Sequence, residues 1–172
     1  MGRILFSVAL ALLLTACVST KSSPERAAAA KAAFDRVTKE FHLPSAEAAG
    51  PKRADLLAQA ARGYDELLRQ FPDQPFWCAQ ALRSLANIRV AQSSPDEAVR
   101  LYGRVAEKYP REDWEVLQAW KSAGDLLWES KRAGEAKKFY ALLVKRFDTP
   151  EQPPVVKIVV NVAKKRLAAT AD

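Results

Sequence analysis

Three stretches of this 172-residue chain align without a gap at a constant spacing of 38. They are Tyr64-Asp-Glu-Leu-Leu-Arg-Gln-Phe71-Pro72, Tyr102-Gly-Arg-Val-Ala-Glu-Lys-Tyr109-Pro110 and Tyr140-Ala-Leu-Leu-Val-Lys-Arg-Phe147-Asp148. An alanine stands four positions before each tyrosine: Ala60, Ala98 and Ala136. Alanine, an aromatic at +4, an aliphatic at +7 and an aromatic at +11 fall on one face of a helix. The proline at +12 cannot continue that helix, because it lacks the N–H and its ring meets the preceding turn. Apolar segments lie between the copies. Phe76 to Gln92 carries Leu82, Leu85, Ala86, Ile88 and Val90, and Glu112 to Ser130 carries Trp114, Leu117, Trp120, Gly124, Leu127 and Trp128. The order is therefore helix, short turn, helix, repeated. Such units cannot bury their apolar faces alone and must stack.

The flanks of these repeats read in the same way. Ser23 suits an N-cap and Pro24 a first helical position, so a helix is expected over 25–41, with Ala30, Phe34, Val37 and Phe41 as its apolar stripe. Residues 42–52, which include His42-Leu-Pro44 and Gly50-Pro51, read as a connection. Ser94, Pro95 and Glu97 predict a capping box in the turn before the second copy. Lys131 to Glu135 is the equivalent turn one repeat later.

These residues resemble the tetratricopeptide repeat, a helical hairpin with the pattern Trp-x2-Leu-Gly-x2-Tyr followed by alanine, aromatic and proline. The closest fit is Trp120-Lys-Ser-Ala-Gly124-Asp-Leu-Leu127 with Ala136 and Tyr140, where Ala123 replaces leucine, Leu127 replaces tyrosine and Asp148 replaces proline. The second unit supplies Leu82, Leu85, Ala86, Ala98, Tyr102, Val105 and Pro110, with Arg89 at the usual tyrosine position. The first supplies Ala60, Tyr64, Leu67 and Pro72, its first helix being irregular or replaced by residues 25–41. The spacing of 38 departs from the family's common 34. The resemblance implies an all-α fold of stacked antiparallel helical hairpins, a right-handed solenoid, with a terminal capping helix.

The capping helix is expected over 154–167. Six of the eight residues 155–162 are valine or isoleucine, which favours a strand, yet no other strand candidate exists to pair with it. As a helix the segment has two apolar rows, Val155, Val159, Val162 with Arg166, and Val156, Val160, Ala163 with Leu167. It either caps the stack or offers an apolar surface to a partner.

At the other end, Arg3 is followed by an apolar or small stretch from Ile4 to Ala16, too short for a membrane-spanning helix of about 20 residues. This is the pattern of a secretory signal. Leu14-Thr15-Ala16-Cys17 resembles the bacterial lipobox, which implies cleavage after residue 16 and a lipid on Cys17. The expected organisation is a signal at 1–16, a lipidated cysteine and tether at 17–23, and the repeat domain at 24–172. Six tether residues reach at most about 20 Å. Val18, not aspartate, follows the cysteine, which in enteric bacteria implies the outer membrane. Of the two cysteines, Cys78 is then left without a disulfide partner and reads as a small core residue.

Lipobox and repeats together resemble tetratricopeptide lipoproteins of outer-membrane protein assembly and of pilus assembly. Cleavage after residue 16 would remove Arg3 and leave 26 basic against 20 acidic side chains, a balance of +6 that either meets anionic phospholipid in such a place, not nucleic acid, or is the solvated exterior of the helices. Nothing in the sequence suggests a catalytic residue, a metal set, a cofactor or a small-molecule substrate. His42 is the single histidine, and there is no Gly-rich phosphate loop. The expected function is an adaptor that binds another envelope protein or peptide, with Trp77, Arg89, Trp114, Lys121 and Trp128 as candidate contacts. The alternative is a structural or chaperone-like lipoprotein acting through basic surface charge without a fixed partner.

Overall fold

The computed structural model describes residues 23–169, so the expected signal, Cys17 and most of the expected tether lie outside the described residues. Within those residues the chain is all-α, with no strand. The helices are α1 (Pro24–Val37), α2 (Leu43–Glu47), α3 (Gly50–Gln70), α4 (Pro75–Ala91), α5 (Pro95–Lys108), α6 (Asp113–Glu129), α7 (Ala133–Phe147) and α8 (Pro154–Ala168). A π-helical turn, Thr38–His42, joins α1 to α2. Each of α3 to α7 packs against the next helix in sequence, α1 packs on α3 and α4, and α4 touches α6.

Local chemistry explains most boundaries. Ser23 caps α1 by accepting the Arg26 N–H at 3.2 Å, with Pro24 in the first turn. Helices α3 and α5 end at Gln70 and Lys108, before Pro72 and Pro110.

The region 42–52 is not a plain connection. It holds α2 and the start of α3. The chain stays helical past His42 because the turn widens, the Leu43 N–H donating to the Thr38 carbonyl five positions back. Pro44 follows at once. In a regular helix it would leave the Glu40 carbonyl without a donor and press its ring against it.

The expected capping box at Ser94 is also absent. Helix α4 closes instead with the Ser94 N–H on the Arg89 carbonyl (2.9 Å) and the Ser93 N–H on the Val90 carbonyl (2.9 Å). The N–H that Glu97 would have accepted is therefore taken, and Glu97 pairs with Arg89 at 2.9 Å. Helix α6 closes identically, Arg132 N–H on Leu127 and Lys131 N–H on Trp128.

Two cores follow from α4, which is apolar on two sides and so is buried on both. Cys78, Ala81, Leu85 and Ile88 pack with Val37, Leu57, Ala60, Tyr64 and Leu67. Ala79, Leu82 and Ala86 join the larger cluster built from α5, α6, α7 and α8. Cys78 is a core residue, fully buried, its thiol donating to the Phe71 carbonyl. The valine-rich segment is the helix α8, and it buries Val156, Val160 and Ala163.

Candidate functional site

The repeated tyrosines set the geometry of one face. Tyr64, Tyr102 and Tyr140 have buried rings whose hydroxyls emerge among polar groups. Tyr102 donates to Asn87 Oδ1 at 2.6 Å and Tyr140 to Asp125 Oδ1 at 2.7 Å. Asn87 and Asp125 occupy the same place in successive repeats. Tyr64 has Ala49 at the matching position, and the π-helical turn replaces the missing partner. Thr38 Oγ1 lies 2.8 Å and His42 Nδ1 3.0 Å from the Tyr64 hydroxyl. Burial raises the pKa of all three tyrosines, and for Tyr140 the Asp125 carboxylate raises it further. Burial lowers that of His42, so its neutral form is favoured.

Asn87 and Asp125 belong to a longer row. Phe76, Gln80, Arg83, Asn87 and Val90 follow the spacing i, i+4, i+7, i+11, i+14 and share one stripe of α4. Their counterparts one repeat later, Trp114, Gln118, Lys121, Asp125 and Trp128, form the same stripe on α6. Every one of these ten is at least partly exposed. The two aromatics at the start of each stripe are the most open, Phe76 at 46% and Trp114 at 47%. Because α4 touches α6, the two stripes adjoin. Arg83 bonds Glu115 of α6 through Nε at 2.5 Å, and Lys121 bonds Asp125 at 2.6 Å. The face thus offers exposed rings, amide side chains and charges held in fixed positions.

Three of the residues expected from sequence lie on this stripe: Trp114, Lys121 and Trp128. Two do not. Trp77 turns toward α1, its ring 5.7 Å from that of Phe34 and 4.9 Å from Phe76. Arg89 points to α5, where it meets Glu97. Phe76, Gln80, Arg83, Asn87, Gln118 and Asp125 escaped the sequence reading. The signal for Phe76 and Arg83 was the repeat itself, since they stand one full repeat before Trp114 and Lys121.

Other charges hold the turns. Arg26 reaches Asp73 with two bonds, at 2.6 and 2.8 Å, and the Gln70 carbonyl, tying α1 to the α3–α4 turn. The hydrogen bonds from Arg26 hold the Asp73 carboxyl well below the usual carboxylate range. Arg132 joins Asp96 to Glu135, and Arg146 joins Asp113 to the Pro110 carbonyl. Two depressions of about 330 and 340 Å³ lie away from the stripe, one beside the α7–α8 loop and one between α3 and the end of α4. Among the described residues no group of histidine, cysteine and carboxylate side chains has the makings of a metal site. None of the described helices is long and apolar enough to cross a membrane.

A scan against protein-family models finds no match for this chain, and a search of curated proteins finds none either.

Proposed function

We propose that this protein is a helical-repeat adaptor of the bacterial cell envelope that binds another envelope protein along the α4–α6 stripe. The observation that carries the reading is the recurrence of that stripe. The same five positions, one repeat apart, keep an exposed ring, an amide and a cation in the same order on two adjoining helices. Exposed aromatic rings beside fixed polar groups are what interface centres use. The packing of successive helices supports reading the array as stacked hairpins of the tetratricopeptide kind, a right-handed solenoid whose first helices line one face. In this proposal Cys17 carries the lipid, the domain faces the periplasm from the outer membrane, and no reaction, cofactor or nucleic acid is assigned to it.

The test is photo-crosslinking in intact cells, with a benzophenone side chain at Gln80 or Gln118 and a control at Arg100, which is exposed on α5. One protein adduct shared by the first two and missing at the third supports the adaptor. No reproducible protein adduct at either stripe position sinks it. Labelled palmitate tests the anchor separately, since Cys17→Ser should abolish its incorporation.

A further inference from the structure

The stripe does not end at α6. The α7–α8 connection, 148–153, is longer by two than the α5–α6 connection, 109–112, so α8 repeats α6 at a spacing of 40 instead of 38. Burial confirms the register. Val116, Trp120 and Ala123 are buried on α6, and Val156, Val160 and Ala163, each 40 further on, are buried on α8. Partly buried Leu167 likewise corresponds to buried Leu127.

In that register Gln118 becomes Ile158, Ser122 becomes Val162 and Asp125 becomes Lys165. Glu115, buried against Arg83, becomes Val155. The stripe positions become Pro154, Ile158, Asn161, Lys165 and Ala168, so on the stripe itself only Gln118 gives way to an apolar residue; beside it, α8 turns an apolar strip to solvent where α6 has the buried Glu115 and the half-buried Ser122. Val155 is 49% exposed, Ile158 64% and Val162 43%. The charge of the helix as a whole has also changed sign, since α6 carries Asp113, Glu115, Asp125 and Glu129 against Lys121 alone. Helix α8 carries Lys157, Lys164, Lys165 and Arg166 and no acidic residue. Lys164 is paired with Asp148. Among the described residues Lys165 and Arg166 have no carboxylate partner, and the Arg166 guanidinium lies 4.7 Å above the ring of Trp128, the last residue of the α6 stripe. That contact joins the α8 row to the α6 row.

We propose that this row is the apolar end of the partner site, and that the segment docking there carries apolar side chains next to carboxylates. The proposal rests on the adaptor reading and adds the chemistry of what is bound. The apolar side chains would cover Val155, Ile158 and Val162 and take them out of water, which favours docking. The carboxylates would meet Lys165 and Arg166, which speeds docking and sets its direction along the stripe. A second copy of the chain suits the site poorly, because its own α8 would bring the same positive charges.

The experiment places the benzophenone at Ile158 and, in parallel, at Gln118, in the full-length chain in intact cells. A shared protein adduct, mapped at the 158 site to a segment with apolar and acidic residues, is the expected result. Its yield at Gln118 should fall at least tenfold in the Lys165→Glu/Arg166→Glu variant. These side chains are exposed, so the variant folds, and an unchanged thermal transition checks that. An adduct at Gln118 with none at Ile158, or a yield indifferent to the charge reversal, overturns this proposal and leaves the adaptor standing. Lipid adducts, or adducts only to a second copy at Ile158, overturn it as well. Failure at both positions removes the adaptor reading and this proposal with it.

Discussion

Tyr140 donates its hydroxyl hydrogen to Asp125, fifteen positions earlier, at 2.7 Å, and Tyr102 does the same to Asn87 at 2.6 Å. The two bonds are equivalent in the repeat and differ in the charge of the acceptor. Tyr140→Phe should therefore cost about 1.5–3 kcal/mol, the range for a bond to a charged group, and Tyr102→Phe about 0.5–1.5 kcal/mol. Urea unfolding of the two variants at neutral pH measures the difference, provided the slope with denaturant is unchanged. Equal losses would show that the charge on Asp125 contributes nothing beyond what Asn87 supplies.

Gly124 is a glycine for lack of room. A Cβ there would stand 2.7 Å from Cε1 of Tyr140, a ring that is buried and held by Asp125. The ring cannot step aside without breaking that bond, so Gly124→Ala should destabilise by about 1–3 kcal/mol. Gly103, inside α5, has nothing within 4 Å of the same point. There Gly103→Ala should stabilise, by about 0.8–1 kcal/mol. Thermal melts of the two variants should move in opposite directions.

Helices α4 and α6 each close on a residue with positive φ that is not glycine: Ser93 at 58° and, at the same place in the next repeat, Lys131 at 60°. The left-handed conformation costs such a residue about 1–2 kcal/mol, part of which glycine gives back in chain entropy. Ser93→Gly and Lys131→Gly should each stabilise by about 0.5–1 kcal/mol. The two sites lie on different helix ends and share no partner, so the double variant should show the sum in a urea titration.

What was legible in the sequence is whatever one helix decides by itself. The spacing of Tyr64, Tyr102 and Tyr140 placed α3, α5 and α7 and the face on which these rings are buried, and Pro72 and Pro110 gave the ends of α3 and α5. Ser23 gave a cap. Decisions shared between two segments were not legible. Ser94 has the pattern of a capping box, but the end of α4 claims its N–H first. His42 and Pro44 look like a helix stop, but a widened turn carries the chain past them. On the stripe, Trp114, Lys121 and Trp128 stood out as large or charged. Gln80 and Asn87 did not, because only the contact of α4 with α6 gives them a common face. The valines and isoleucines of 154–167 favour a strand, but the lack of any strand to pair with already pointed to a helix, and α8 is that helix, packed against α7.

His42 makes the stability of the first unit depend on pH. Burial depresses its folded pKa below the ordinary 6.5, while the unfolded chain keeps the ordinary value. The unfolded state therefore binds more protons below pH 6.5. Stability is fully present above that value and declines as pH falls through it toward the folded pKa. The Tyr64 hydroxyl, which touches the ring, and Thr38, which bonds that hydroxyl, carry no charge that offsets this. The urea midpoint should drop between pH 7.5 and 5.5 in the native chain, and more weakly in His42→Gln. A midpoint that is flat in the native chain, or equally steep in the variant, would remove His42 as the cause.

Glu115 is a buried carboxylate, 3% exposed, and Arg83 is its bonded cation, reaching it from α4 at 2.5 Å. Taking a carboxylate out of water costs several kcal/mol, which the attraction of a well-placed partner offsets. Removing that partner alone leaves the cost uncompensated. Arg83→Met should therefore destabilise by about 3–5 kcal/mol, far more than the median surface ion pair, which is worth about 0–1 kcal/mol. Replacing both groups by apolar ones restores a neutral contact between α4 and α6, so Arg83→Met/Glu115→Leu should recover most of the loss. Chemical denaturation of the wild type, the two single variants and the double variant completes the cycle. A double variant as unstable as Arg83→Met would mean that Arg83 acts through its packing on α4, with its charge on Glu115 incidental.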